Sequence, residues 1–431
     1  MDYKSIYRSK VCSVEEALSQ IKSHDSITCS LIACEPVTLL SHLHTIKDRV
    51  EDVTVCNAFC LGDYEFFNRR DMKGHFILYS WFYTDSLRKS HPYGTVSYAP
   101  FQLHTFGRTY LETRRPRVFM GCASPMDRHG YLSLSLDTVC EKESMEVADV
   151  VIIEVNDRLP RTFGDTNIHI SQIDHVVETS HELPQFPQFP VTEHSAMIGA
   201  YVAELIEDGS TIQIGIGEIP RAVTLNLMDH KDLGVHTELF TDCMLDLCKA
   251  GVITNRKKSI WKDKMVGDCA IGGRELYDFL GENLAVEFQP GRIVNDPAVI
   301  RQNNKMVSIN AALEVDLTGQ VCAESIGIRH FSGTGGHKEF TVGASQSPGG
   351  KSIIALSSTA KGDTISRIVP AFGPGTAVTA SRIDVDYVVT EHGAACLRGR
   401  SIKERVTELI NVAHPDFRDF LRSEANRNMI W

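Results

Sequence analysis

Apolar and β-branched residues recur in short runs along the chain, and polar stretches with helical spacing separate these runs. In the first third, the runs at 26–31, 53–56 and 150–155 predict strands. The stretch 14–23 predicts a helix that begins after the cap Ser13. The early part of the chain therefore alternates between strands and helices.

The same alternation is clearer between residues 192 and 251, where apolar residues first recur at helical spacing over 192–206. Four further elements follow, namely strands at 211–216 and 233–236, a helix at 219–228 opened by Pro220, and a helix at 242–249 closed by Gly251. Strands and helices that alternate at this pitch predict an α/β fold with mainly parallel sheets covered by helices.

Glycine and small polar residues dominate the segment 326–350. Short apolar runs follow it, and two helices are predicted to close the chain, at 402–411 after the cap Ser401 and at 415–422. The residue composition of the last third therefore differs from that of the preceding part of the chain.

A proline-rich segment marks the boundary between two predicted domains. Residues 184–190 carry three prolines at every third position, which disfavour a helix and remove N–H donors that a sheet needs. We predict an N-terminal α/β domain at 1–183, a linker at 184–190 and a C-terminal α/β domain at 191–431.

The charge balance narrows the partners that the protein is expected to have. Among 431 residues, 44 Lys and Arg stand against 55 Asp and Glu, a net charge of −11. Such a surface repels polyanions and anionic lipid, so we expect neither nucleic acid nor membrane as a partner. The start of the chain has no apolar h-region, and no stretch approaches about 18 uninterrupted apolar residues. We therefore expect a cytoplasmic protein.

The twelve cysteines are interpreted in the light of that location. In a reducing compartment most cysteines behave as small buried hydrophobes, and the spacing here provides no CxxC pair and no HExxH motif. We predict no metal site.

The sequence QIGIGEIP at 213–220 places Gly215 and Gly217 between a predicted strand and a predicted helix. Backbone N–H groups at such a turn can approach an anion closely. The dinucleotide fingerprint GxGxxG needs a third glycine where Pro220 stands, which disfavours a nicotinamide cofactor. A tight turn without a ligand remains the alternative.

Several glutamates are candidates for a reactive carboxylate. Glu238, in HTELFTD, follows a predicted strand, and open α/β sheets place ligand sites at the carboxyl ends of their strands. Glu154, Glu324 and Glu391 occupy similar positions. Position alone does not choose among them, and a solvated loop carboxylate is the alternative for each.

A glycine-rich loop, SGTGGHKEF at 332–340, includes Gly335 and Gly336. Successive backbone N–H groups there can form a nest for a thioester oxygen or a phosphate, and a plain surface loop is the alternative. The nearby GGKS lacks the first glycine of a P-loop, and no GxSxG is present. Cys122 and Ser124 are equally open to a structural and a substrate-lining interpretation.

Taken together, many segments resemble the acetyl-CoA hydrolase/transferase family, and most closely its 4-hydroxybutyrate or butyrate:acetyl-CoA CoA-transferase branch. The resemblance extends over nearly the whole chain. Its segments include FMGCASPMDRHGYLSL, VIIEVNDRLPRTFGDTNIHISQIDHVVETSHELP, EDGSTIQIGIGEIPRAV, GVHTELFTDCMLDLCKAGVI, MVSINAALEVDLTGQVCAESIG, HFSGTGGHKEF, STAKGDTISRIVP, DYVVTEHGAACLRGRS and ELINVAHPDF.

This resemblance assigns roles by matching positions. It implies that Glu238 is the nucleophile, that Asn310 polarises the thioester carbonyl, and that Gly335 or Gly336 lends an N–H beside the CoA thioester. It also implies CoA contacts along one turn, made by Gly215, Ile216, Gly217, Glu218 and Ile219. At two positions, Glu218 and His392, the residue differs from the one that is common in the family. Both differences bear on which acyl chain the protein prefers and not on the reaction.

The resemblance further implies two similar domains, a homodimer, and CoA as a substrate with no permanently bound cofactor. The implied reaction moves CoA between short-chain acids such as butyrate, 4-hydroxybutyrate and acetate, in ping-pong fashion through a glutamyl-CoA thioester on Glu238. Two alternatives remain, an acyl-CoA hydrolase of the same family and a non-catalytic metabolite-sensing domain. Candidates for the cations that hold the CoA phosphates are Lys361, Arg367, Arg398 and Arg400.

Overall fold

The computed structural model describes residues 2–187 and 189–430, and these form two compact units. The first unit contains the chain up to Phe186 together with Val266–Val294. The second contains Pro187–Met265 and the chain from Asn295 onward. The first break between the units falls inside the segment predicted as a linker, of which Gln188 lies outside the described residues.

A sheet of seven parallel strands forms the centre of the first unit. In spatial order the strands are Val96–Tyr98, Phe76–Ser80, Val53–Asn57, Ser26–Cys29, Val118–Ala123, Val150–Asn156 and His175–Thr179. All six residues of Val118–Ala123 are buried, as expected for a parallel strand that is covered on both faces. The predicted strands at 26–31, 53–56 and 150–155 all lie in this sheet.

The α-helices of the first unit are short. They are Tyr3–Lys10, Val14–Leu18, Val37–His42, Glu65–Asn68, Asp85–Ser90, Glu141–Val147, Arg274–Leu280 and Gly291–Val294. The predicted cap is confirmed, because Ser13 Oγ accepts the N–H of Glu16 at 3.2 Å. The helix ends earlier than predicted, at Leu18, where the Ser19 hydroxyl donates to the Glu16 carbonyl at 2.6 Å and competes with the helical pattern.

The second unit is built on a six-stranded sheet. In spatial order its strands are Gly234–Val235, Thr211–Ile214, Met306–Ala311, Lys351–Ala355, Tyr387–Thr390 and Gly393–Cys396. All neighbouring pairs are parallel except the last pair, which is an antiparallel hairpin. Because the first five strands run the same way, their carboxyl ends meet at one edge, and Gly215, Glu238 and Asn310 lie at or soon after those ends.

The α-helices of the second unit are Glu193–Glu204, Glu218–Asn226, Asp242–Lys249, Pro297–Ile300, His337–Gln346, Ile402–Val412 and Pro415–Arg427. The helix predicted at 242–249 is confirmed at both ends. Ser401 caps its helix as predicted and forms a capping box with Glu404. The final helix extends beyond the predicted residue 422 to Arg427.

The remaining strands have two or three residues each. They are Tyr131–Ser133, Asn167–His169, Leu239–Phe240, Met265–Gly267, Cys269–Ala270, Val286–Phe288, Glu314–Asp316, Val321–Cys322, Ser325–Ile326, Arg329–His330, Thr359–Ala360, Ile365–Ser366 and Ile368–Val369.

The segment Val266–Val294 lies with the first unit, whereas the sequence placed it in the C-terminal domain. Backbone bridges join Cys269 to Asp137 and Phe288 to Gly164. The N–H of Phe186 donates to the Gly272 carbonyl at 3.2 Å. These pairings link residues that are distant in sequence, so local patterns could not indicate them.

The predicted fold class is confirmed, since mainly parallel sheets covered by helices form both units. Each unit has its own apolar core, one around Val55 and Met120 and the other around Ile354 and Leu409. Within the described ranges, no helix has the length and apolar character needed to cross a membrane. The twelve cysteines, all described, carry free thiols.

Candidate active site

Glu238 lies just beyond the carboxyl end of an edge strand of the second sheet. It follows Gly234–Val235 and precedes the helix Asp242–Lys249. The N–H of His236 donates to the Ile212 carbonyl at 3.2 Å, which keeps the chain against the neighbouring strand as it leaves the sheet. Glu238 is half-buried, at the position where open α/β sheets hold ligands.

Two donors hold the Glu238 carboxylate. Asn295 Nδ2 donates to Glu238 Oε2 at 3.1 Å, and the backbone N–H of Gly336 donates to the same carboxylate. A Cβ added to Gly336 would lie 2.1 Å from Oε2 and 2.9 Å from Asn295 Nδ2. Real Cβ atoms do not approach other atoms this closely, so the carboxylate occupies space that only glycine leaves open at position 336.

A second acid lies close enough to Glu238 to affect its charge. Burial, followed by repulsion from Glu339, raises the pKa of Glu238 to about 7, and the hydrogen bonds from Asn295 and Gly336 oppose this rise. Glu339 is itself buried, in the first turn of the helix His337–Gln346. The arrangement therefore raises the energy of the ionised Glu238 carboxylate, and carboxyl groups perturbed in this way are typical of functional sites.

Asn310 lies at the carboxyl end of the strand Met306–Ala311, on the same edge of the sheet. Its Oδ1 accepts from Gln213 Nε2 at 3.4 Å. Among the described residues its buried Nδ2 has no hydrogen-bond partner. Because buried amide donors are nearly always satisfied, this donor is suited to an acceptor on a ligand.

The turn at 215–219 is open on one side. A Cβ on Gly215 would meet nothing within 4 Å, and one on Gly217 would meet only Pro220 Cδ at 3.9 Å. Gly217 has φ +125°, which favours glycine, and it caps the helix Glu218–Asn226. Its neighbours Ile216 and Ile219 are half-buried. The backbone of the turn is therefore accessible to a ligand.

Glu218, predicted to contact CoA, is engaged elsewhere. Its carboxylate accepts from the Thr192 N–H at 3.1 Å and from the Thr192 hydroxyl, at the start of the helix Glu193–Glu204. This pairing accounts for an acidic residue at a turn where a small residue is common in the family pattern. These contacts give the Glu218 side chain a structural role, and the contact of this residue with CoA stays a prediction.

The two glycines left open by the sequence have different surroundings. Gly336 is buried against Glu238 and begins the helix His337–Gln346, whereas Gly335 is half-buried with φ +46°. Gly335 thus supplies the left-handed turn, and Gly336 supplies the contact with the carboxylate.

The competing glutamates are each held by hydrogen-bond donors of the protein. Glu154 is buried and accepts from the backbone N–H of Thr38 and Leu39, from the Thr38 hydroxyl, and from His181 Nε2 at 2.8 Å. It therefore satisfies the N–H groups that begin the helix Val37–His42.

The two other glutamates belong to the second unit. Glu391 accepts from the Ser358 N–H at 2.9 Å and from its hydroxyl at 2.5 Å. Glu324 accepts from the Thr379 hydroxyl at 2.9 Å. These contacts join segments that are 33 and 55 positions apart in sequence. Glu238 differs from all three, because an amide and a backbone N–H hold it beside another carboxylate.

Cys122 and Ser124 have structural contacts. Burial raises the pKa of the Cys122 thiol well above its usual range, and Sγ donates to the Glu35 carbonyl at 3.3 Å. Ser124 Oγ accepts the N–H of Ser133 at 3.2 Å. Neither residue has the setting of a nucleophile.

Among the candidate cations, two are already engaged. Arg398 donates to the carbonyls of Gly350 and Ser345, both at 3.0 Å, and Arg400 pairs with Glu404 at 3.3 Å. Arg367 is half-buried, and burial lowers its pKa while Glu391 opposes the change. Lys361 is exposed.

Two residues of the site were not anticipated from the sequence. Asn295 is completely buried and 57 positions from Glu238, and no motif surrounds it. Glu339 lies inside the glycine-rich segment that was singled out for its backbone. An acidic residue three positions after a glycine pair was the only local signal for it.

The chain is similar to known proteins over its full length. Residues 1–186 match the acetyl-CoA hydrolase/transferase N-terminal domain, and residues 272–425 match the acetyl-CoA hydrolase/transferase C-terminal domain. The 4-hydroxybutyrate coenzyme A transferase of Clostridium kluyveri is 41% identical over 98% of this chain and 99% of its own. The succinyl-CoA:cyclohexane-1-carboxylate CoA transferase of Geobacter metallireducens is also 41% identical, over 99% and 97%. The butyryl-CoA:acetate CoA-transferase of Anaerostipes caccae is 35% identical over 100% and 99%.

Solved structures show the same architecture. RipA from Yersinia pestis superposes with a TM-score of 0.94 at 36% identity, over 100% of both chains. A 4-hydroxybutyrate CoA-transferase from Porphyromonas gingivalis superposes with a TM-score of 0.84 at 34% identity, over 99% of this chain and 100% of its own.

Proposed function

The chain belongs to the acetyl-CoA hydrolase/transferase family and is a CoA-transferase, and from this premise we propose that it moves CoA between short-chain carboxylates through a glutamyl-CoA thioester on Glu238. The observation that carries the proposal is the setting of Glu238. Its carboxylate lies at the carboxyl edge of the sheet, bound by Asn295 and Gly336, with a pKa raised to about 7 by burial and Glu339.

The proposed first half-reaction has two steps. Glu238 attacks the acyl carbonyl carbon of acyl-CoA, the carbon–sulfur bond breaks, and CoA leaves as a thiolate from a mixed anhydride. The thiolate then attacks the glutamyl carbonyl carbon, and the first acid leaves as its carboxylate. The enzyme retains the CoA as a thioester, so the free energy of the activated acyl group is conserved without ATP.

The second half-reaction is the same sequence in reverse with another carboxylate. Negative charge develops on two different carbonyl oxygens during the cycle, one on the substrate and one on the glutamyl group. We propose that Asn310 Nδ2, buried and without a partner among the described residues, serves the substrate side. A preorganised donor of this kind contributes about 3–4 kcal/mol to transition-state stabilisation.

We propose CoA as a substrate, with the open turn at Gly215 and Gly217 as one of its contacts, and no resident cofactor. Butyrate or 4-hydroxybutyrate and acetate are the proposed acids, since relatives that match the whole chain are named for them. A cytoplasmic location remains a prediction from the sequence, and a homodimer remains a prediction from the family resemblance.

The experiment is a search for the covalent adduct. Purified protein is mixed with butyryl-CoA alone, and its intact mass and peptide map are recorded. We expect CoA linked to Glu238, and borohydride should inactivate only the protein treated with acyl-CoA. Glu238→Gln should form no adduct, whereas Glu391→Gln is the matched control and should form it. An adduct at Glu324 or Glu391 would contradict the assignment.

Kinetics separate the transferase from its alternatives. Acetate should greatly increase the turnover of butyryl-CoA, with ping-pong kinetics. Equal rates with and without acetate would instead indicate an acyl-CoA hydrolase. CoA binding without any adduct in the wild-type protein would indicate a metabolite-sensing role.

A further inference from the structure

Side chains of one loop complete the edge strand that leads to Glu238. This strand, Gly234–Val235, is the outermost strand of the six-stranded sheet. On its outer side the N–H of Val235 donates to Asn255 Oδ1 at 2.9 Å, and the Val235 carbonyl accepts from Lys258 Nζ at 2.7 Å. Two side chains therefore satisfy the backbone groups that a neighbouring strand would otherwise pair.

Lys258 is an unusual residue for this position, because it is charged and only 4% exposed. Lysine is rarely buried to this extent unless its ammonium group is bound. Here Nζ donates to the carbonyls of Val235 and Lys264, both at 2.7 Å. The ammonium group therefore joins the end of the edge strand to the end of the loop.

Gly234 provides the space for the stem of this lysine. A Cβ on Gly234 would lie 2.4 Å from Lys258 Cγ and 2.9 Å from Cδ, with Thr211 Oγ1 farther away at 3.3 Å. The backbone of Gly234 lies outside the left-handed region, so its conformation does not itself require glycine. The contact with Lys258 accounts for the glycine at this position.

The same loop also contacts the residue that follows the strand. The ring centroid of Trp261 lies 5.9 Å from that of His236. Only His236 and Thr237 separate Val235 from Glu238 in sequence. A shift of the Val235 carbonyl would therefore displace the carboxylate as well.

We propose that Lys258 is a positioning residue for CoA transfer. Its ammonium group fixes the carbonyl of Val235, and this fixes the direction in which the chain enters the turn that carries Glu238. The assignment rests on the proposed function, because it concerns the attack of the Glu238 carboxylate on the thioester carbon. A displacement of a reacting group by about 1 Å can cost about 10²-fold in rate.

The experiment measures the rate of adduct formation in a single turnover at saturating butyryl-CoA, and CoA affinity in parallel. Lys258→Met keeps an unbranched stem but removes the donor to both carbonyls. We expect adduct formation to slow by about 10²-fold, with CoA affinity within about threefold of the wild-type value. A residue that serves only the stability of the fold would leave the rate of the folded protein unchanged.

Lys351 provides a matched control in the same sheet. It begins the strand Lys351–Ala355, at the edge opposite to Glu238, and its Nζ donates to the Leu205 carbonyl at 2.7 Å and pairs with Glu207 at 3.2 Å. Lys351→Met also removes an ammonium group from a backbone carbonyl, and it should leave the rate of adduct formation unchanged. Equal slowing in Lys258→Met and Lys351→Met would overturn the assignment.

Gly234→Ala disturbs the same contact without removing the ammonium group, and it carries the test even where Lys258→Met yields no folded protein. The new Cβ would push the lysine stem away from the strand, so adduct formation should slow here too. In Lys258→Ala no Cγ remains to meet that Cβ, so adding Gly234→Ala to this variant should change its rate by less than about threefold. Effects that multiply would show independent origins and would overturn the assignment.

The remaining outcomes are distinct. Lys258→Met or Gly234→Ala proteins that form the adduct within about threefold of the wild-type rate would overturn the assignment and leave the glutamyl-CoA pathway standing. A loss of rate in Lys258→Met that disappears at higher butyryl-CoA would indicate weaker binding and would also overturn it. A wild-type protein that forms no adduct would remove the proposed function, and the assignment with it.

Discussion

Gly336 and Glu238 are in such close contact that a Cβ on the glycine would lie 2.1 Å from Oε2 of the carboxylate. The backbone of residue 336 is buried at the start of a helix and cannot move away without disturbing the Gly336 N–H bond to Glu238. We therefore expect Gly336→Ala to abolish adduct formation, measured by intact mass after mixing with butyryl-CoA.

Gly373→Ala is the control for this substitution. A Cβ there would meet only Thr376 Oγ1, at 3.9 Å, and the backbone of Gly373 lies outside the left-handed region. Adduct formation should match the wild-type rate. If Gly336→Ala also matched it, the carboxylate would not need the space beside this glycine.

The pH dependence of adduct formation should follow the Glu238 carboxyl. Its pKa is raised to about 7, and only the ionised form is expected to attack, so the single-turnover rate should rise with pH, reach half its maximum near pH 7 and level off at higher pH. Glu339→Gln removes the repelling charge and should move the midpoint to lower pH. A midpoint that stays unchanged in Glu339→Gln would show that burial alone raises the pKa.

Asn310 is expected to act in the transition state. Asn310→Ala removes the donor that has no partner among the described residues, and kcat should fall by about 10²–10³-fold with little change in CoA affinity. Steady-state kinetics with butyryl-CoA and acetate provide the measurement. Weaker binding at an unchanged kcat would instead identify a ground-state contact.

A buried acid of the first unit should make stability depend on pH. Glu35 accepts from the N–H groups of Leu61 and Gly62 and from the Tyr64 hydroxyl, yet burial raises its pKa to about 7. In the unfolded chain a glutamate titrates near about 4.3. As the pH rises between these values, the unfolded chain releases its proton first, so the unfolding free energy falls, by at most about 4 kcal/mol.

Denaturant unfolding at pH 4.5 and pH 7.5 can measure this loss. Glu35→Gln stays neutral at both values, so the variant should lack the Glu35 part of the decline. A decline of the same size in the variant would assign the pH dependence to other groups.

Local patterns in the sequence predicted much of the scaffold. Ser13 and Ser401 are caps as expected, and the helix at 242–249 is correct, because caps and periodicity are properties of neighbouring residues. Glu238 was placed at a strand end by the same reasoning. Its choice over Glu154 required the family resemblance, since both glutamates follow apolar strands.

The surroundings of Glu238 could not be predicted in this way. Asn295 has no motif and reaches the carboxylate only through the tertiary fold. The inert role of Glu154 likewise depends on Thr38, which is 116 positions away in sequence. Contacts between distant residues thus decide which of two similar glutamates is available for chemistry.

The chain leaves the second unit after residue 265, contributes residues 266–294 to the first unit, and then returns to the second. This order limits how the protein can be divided into fragments. A cut at the proline-rich segment 184–190 would give a C-terminal fragment that carries residues 266–294 without the partners Asp137 and Gly164. During synthesis on the ribosome, Glu238 emerges before the segment 266–294, and Asn295 is the first residue after that segment. Glu238, the proposed nucleophile, and Asn295, which donates to it, are therefore brought together only after the chain has contributed to both units. Neither half is expected to work as a separately produced fragment.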